Sequence, residues 1–244
     1  MSAPSQTTKK ILMIVSNPAV SGQTGWPIGF WWSELTHPFW EFEQRGYDIT
    51  IASPDGGAVV GDGFSDPEDA SGYSASDFVS LGFKRSATHA ARLQNTPRLS
   101  NLNLSDYDAI MFVGGQGPMY TFRGNAQIES AVREMVASGK PTALLCHATS
   151  ALLDAKDHTG KGIAEGKRWT GFANAEEDYV EGAVGQRIQP FRIEDEARAL
   201  DGDNFVVGPM FAPFMVRDGN LITGQQQNSG VVAAREIIAL LERK

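Results

Sequence analysis

Four short apolar runs constrain what this chain can fold into. KILMIVS (10–16), YDITIAS (47–53), YDAIMFV (107–113) and PTALLC (141–146) read as strands, each ended by a polar or turn-forming stretch. The first, third and fourth are nearly continuous in apolar residues, as in strands covered on both faces. Amphipathic segments lie between them. In FWWSELTHPFWEFEQRG (30–46), Trp31, Leu35, Pro38, Phe39 and Phe42 recur roughly at helical spacing, and Gly46 stops the pattern. From Asn125 to Ser138, Ile128, Val132, Met135 and Val136 share one side, and Gly139 ends the helix. The order strand, turn, helix, strand predicts an α/β fold: a doubly wound, mostly parallel sheet with helices on both faces.

The remaining segments fill in that plan. Residues 57–105 are irregular, with Gly, Asp and Ser dominant up to Ser76 and a helical patch expected from Ser86 to Gln94. They read as an insertion packed on one end of a single domain spanning residues 1–244, with 1–9 as a flexible tail. FRIEDEARALDG predicts a short helix. VVGPMFAPFMVRDGNLITG predicts a hairpin turning at Asp218-Gly219, and Gly230 to Leu241 a closing helix.

Composition excludes several function classes. A net charge of −8 and a pI of about 5.0 argue against nucleic acid and anionic membrane surfaces as partners. The single cysteine forbids an internal disulfide and a cysteine metal cluster, and no His/Asp/Glu set has metal spacing. MSAPSQTTKK lacks the apolar segment of a signal peptide, and no run approaches the roughly 20 residues of a membrane span, so a cytoplasmic protein is expected.

That cysteine sits where chemistry is expected. Cys146 ends an apolar run, His147 and the small Ala148 follow, and a helix-forming segment begins. The layout matches a nucleophile elbow, in which a strained turn exposes the reactive side chain over the sheet's carboxyl edge. A helix N-terminus there would favour the thiolate. A buried, structural cysteine is the other reading. The turn GGQG (114–117) offers backbone N–H groups at the neighbouring strand end, which with the His147 amide make a candidate oxyanion hole. Glu176, Glu177 and Asp178, placed in a loop, are candidates to orient His147. Glu34, among Trp31, Trp32, Leu35 and Phe39, is either a half-buried acid/base of raised pKa or the polar edge of its helix. His37 reads as a structural hydrogen-bonder, and His89 and His158 as surface residues.

Taken in order, GFWWSELTHPFWEFEQRGYDITIASPDGG, SDYDAIMFVGGQG, ALLCHATSAL, TGFANAEED and VRDGNLITGQ resemble the ThiJ/PfpI superfamily. The resemblance is nearest to its branch of heat-shock chaperone-like, glutathione-independent glyoxalases (glyoxalase III), and covers residues 10–241. It implies a flavodoxin-like sandwich of the class I glutamine amidotransferase-like kind, usually a homodimer. It also implies Cys146 as nucleophile, His147 as base, Glu34 as the buried carboxylate at the sulfur, and Gly115 and Gln116 as oxyanion-hole amides. Glu177 would be the third carboxylate of a triad, with Glu176 the alternative, and Trp31 and Gly114 would border the substrate pocket. Two departures stand out: Ala148 where the family often has Gly, and Gln226-Gln227-Asn228 where many members have Asn-Pro.

The activity this implies is conversion of methylglyoxal-type 2-oxoaldehydes to 2-hydroxy acids, with no metal, glutathione or other cofactor, as part of stress-response detoxification. A cysteine amidase or peptidase built on the same residues is a second reading. A stress-response holdase chaperone, or a redox sensor with a reversibly oxidised Cys146, is a third.

Overall fold

The computed structural model describes residues 8–243, so most of the polar tail lies outside the described residues. The predicted strands form: β1 Lys10–Ile14, β4 Asp48–Ala52, β5 Ala109–Phe112 and β6 Thr142–Leu145. A two-residue pair, β2 Ala19–Val20 and β3 Pro27–Ile28, stands apart from the main sheet. The hairpin β7 Met215–Asp218 and β8 Leu221–Gly224 completes a six-stranded sheet of order β4-β1-β5-β6-β8-β7. All its neighbours are parallel except β7 against β8.

The chain winds outward both ways from the β1–β5 pair. One crossover leads from β1 through α1 (Trp32–Glu43) to β4, and another from β5 through α5 (Ala126–Ala137) to β6. Because such crossovers are right-handed, opposite directions place the two helices on opposite faces. The crevice at this switch point lies beyond the carboxyl ends of β1 and β5, where ligands bind in sheets of this kind. Strands β5 and β6 are wholly buried, which explains their continuous apolar sequence. The closing helix α8 (Gly230–Glu242) packs against α1.

Residues 57–105 close on themselves through a bridge at Gly57–Thr96 and return to the main body through bridges at Gly61–Phe30 and Arg98–Ser53. Their helical content differs from the expected single patch at 86–94. There are two helices, α2 (Phe78–Arg85) and α3 (Ala87–Ala91), divided at Ser86. Asp77 caps the first by accepting from the Ser80 amide, and Ser86 caps the second by accepting from that of His89. His89 is half-buried, not a surface residue: its ring lies between Ser86 and Glu43 and packs on Phe39 and Phe83. His37 bonds Asp77 at 2.8 Å. The other helices are α4 (Pro118–Thr121), α6 (Asn174–Val184) and α7 (Ile193–Asp201).

Candidate active site

Cys146 follows the last residue of β6 at φ +53°, a left-handed conformation that a side chain adopts at a cost. The segment that follows, Cys146–Leu153, is a wholly buried 3₁₀ helix, not the α-helix expected. The amides at its start still face the sulfur, but burial outweighs them. Burial leaves Cys146 3% exposed and pushes its thiol well above the usual range, and the neighbouring Glu34 carboxyl adds to the shift. The Gly115 and His147 amides both point at the sulfur and partly offset it.

Glu34 comes from the first turn of α1 and is fully buried. Its Oε2 accepts from the Gly114 amide at 3.0 Å, and its carboxyl bonds the Cys146 side chain. Burial raises its pKa to about 7, against the lowering pull of Cys146, His147 and the Gly114 amide. Near neutral pH the thiol therefore keeps its proton while the Glu34 carboxyl titrates.

On the other side of Cys146, His147 Nδ1 stands 3.4 Å from Sγ. Its Nε2 lies 2.9 Å from Glu177 Oε1. An ionised carboxylate only accepts, so Nε2 carries the proton and Nδ1 presents a lone pair to the thiol. Phe172 stacks on the imidazole with centroids 4.3 Å apart. Glu177 is in the first turn of α6, not in a loop, and it is Glu177 that meets the histidine. Glu176, one residue earlier, points elsewhere: it accepts from the Phe211 amide at 2.9 Å and from Gln225 Nε2 at 3.0 Å. Consecutive helical residues diverge by about 100°, so only one of the two glutamates can face the imidazole.

The GGQG turn differs from expectation at two residues. The Gln116 amide is not free for an oxyanion, because it donates to Asp62 Oδ2 at 2.6 Å. Asp62 is fully buried, also accepts from the Gly29 amide at 2.9 Å, and is raised by burial to about 7. The Gly115 and His147 amides, both aimed at Sγ, remain as the donors beside the reacting atom. Gly114 does not border the cavity: it is buried between Glu34, Leu145 and Cys146. A Cβ there would lie 2.4 Å from Glu34 Oε2 and 2.5 Å from the Leu145 carbonyl. Gly114→Ala is therefore expected to destabilise the fold by about 1–3 kcal/mol, as overpacked buried sites do, read as a lower Tm in thermal melts. Asp62 escaped the sequence reading because an aspartate in a Gly-rich stretch reads as a turn residue.

Cys146, His147 and Glu177 open into a cavity of about 470 Å³. Trp31 lines it, as do Gln116 and, from the segment that departs from the family pattern, Gln227. Among the described residues no group of three His, Cys, Asp or Glu side chains is placed to hold a metal ion, and no helix is long and apolar enough to cross a membrane.

Known proteins share this fold. Along 97% of its length the chain superposes on all of the Francisella tularensis rapid encystment protein of 24 kDa, with a TM-score of 0.85 and 29% identity. The crystal structure of glyoxalase III from Candida albicans matches 95% of the chain and 96% of its own, with a TM-score of 0.75 at 23% identity, a likeness of fold. In sequence, glyoxalase 3 of Candida albicans is 24% identical over 96% of this chain and 98% of that protein. A deglycase of Pyrococcus horikoshii is 26% identical over 62% of the chain and 71% of its own length. The model of the DJ-1/PfpI family matches residues 29–240, and the chain belongs to that family.

Proposed function

We propose that this protein is a glutathione-independent glyoxalase that converts methylglyoxal-type 2-oxoaldehydes to 2-hydroxy acids through a hemithioacetal on Cys146. One observation carries the reading. The thiol is held between a buried carboxyl of pKa about 7 and an imidazole whose far nitrogen is fixed by Glu177. The relatives named glyoxalase 3 and glutathione-independent glyoxalase support it.

Each residue has a role in this chemistry. Cys146 yields its proton to His147 Nδ1 or to Glu34 as the sulfur adds to the aldehyde carbon. Negative charge develops on an oxygen next to the sulfur, beside the Gly115 and His147 amides that point at Sγ. The hydrogen of the former aldehyde carbon then moves to the adjacent carbon through an enediol. Glu34 is suited to carry it, since an acid near pH 7 both takes and returns a proton. Water cleaves the resulting thioester, releases the hydroxy acid and restores the thiol. Glu177 fixes the tautomer of His147 and balances the imidazolium charge. A homodimer and a cytoplasmic setting belong to the same reading and rest on the family resemblance.

The test is formation of lactate from methylglyoxal by the purified protein with no glutathione present. Glu177→Gln is expected to lower kcat/KM by about 100-fold or more. Failure of the wild type to form lactate would sink the proposal.

A further inference from the structure

Seen beside a three-carbon aldehyde, the cavity is oversized. Its 470 Å³ is the liquid volume of roughly fifteen waters. The surplus space is built from two aromatic clusters. Trp31 and Tyr73 meet edge to face with centroids 6.3 Å apart, and Tyr179 and Phe211 do so at 5.4 Å. Phe172 and Val180 extend the apolar lining, and among the described residues no Lys or Arg side chain reaches it. Two glutamines also border the cavity, Gln116 at 9% exposure and Gln189 at 2%, and in each the buried side-chain oxygen has no hydrogen-bond partner.

Resting on the glyoxalase reading above, we infer that the preferred substrates are 2-oxoaldehydes whose ketone carbon bears an aromatic arm. The reactive end sits at Cys146 and the ring between the aromatic side chains, where face and edge contacts favour it. The reaction balances as for the small substrate. Sulfur bonds to the aldehyde carbon, that carbon's hydrogen passes to the neighbouring ketone carbon, and one water cleaves the thioester. The net change is addition of water, giving an aryl 2-hydroxy acid with no external oxidant or reductant.

The probes are phenylglyoxal and methylglyoxal, assayed on the wild type, Val180→Trp and Ala183→Trp. Val180 and Ala183 both line the cavity from α6, and Ala183 is solvent-exposed, so its variant keeps the test alive if Val180→Trp folds poorly. The wild type is expected to show kcat/KM for phenylglyoxal at least about 10-fold above that for methylglyoxal, and each variant to cut that ratio about 10-fold, the scale on which apolar pockets discriminate. Turnover of methylglyoxal with no gain for phenylglyoxal, or a ratio that neither variant moves, overturns the inference and leaves the glyoxalase reading intact. Turnover of neither compound overturns that reading instead.

Discussion

Cys146→Ala is expected to lower kcat/KM for methylglyoxal by at least about 10³-fold, the scale seen when a covalent nucleophile is removed. Cys146 is the only cysteine in the chain. The substitution removes one sulfur atom from a site already strained at φ +53°, so the fold is expected to survive, with a near-wild-type circular dichroism spectrum as the control. Retained turnover would sink the thiolate mechanism. Holdase activity that outlived the substitution would point to a chaperone role independent of the thiol.

Much of this was readable from the chain, and the reasons differ by element. Strands such as Ala109–Phe112 are buried on both faces, so their sequence carries the signal without help from tertiary context. The Cys146 turn was legible because an apolar run that stops at a small-residue turn has few structural outcomes. The helix at Phe78–Arg85 was not, because Ser80 and Gly82 dilute its apolar spacing and its start depends on an Asp77 cap. The thiol's protonation state could not be read at all. It depends on Glu34, 112 positions away in sequence, and on burial that only the folded sheet creates. The roles of the Gly114 and Gln116 amides were hidden for the same reason: their partners Glu34 and Asp62 reach the turn from distant segments.

Glu34→Gln is expected to have opposite effects on activity and stability. The carboxyl's pKa of about 7 in the fold lies above its ordinary 4.5, so the folded state holds its proton more tightly than the unfolded chain does. Its contribution to stability is full below about pH 4.5 and is lost as pH rises through about 7. Above that the buried charge is a penalty of, at most, about 3 kcal/mol. Glutamine keeps an oxygen to accept from the Gly114 amide and carries no charge. The variant is therefore expected to melt at or above the wild-type temperature at pH 8, and to lose stability less steeply between pH 5 and pH 7.5. Turnover should fall by about 10²- to 10⁴-fold, the usual contribution of a positioned acid/base. The wild-type rate should rise with pH through an inflection near 7 that the variant lacks. Asp62 titrates in the same range, but the Gly29 and Gln116 amides occupy its oxygens, so Asp62→Asn should keep the inflection. A Glu34→Gln enzyme that retained both rate and inflection would move the proton transfer to His147, leaving Glu34 as a buried acid that only holds the thiol in place.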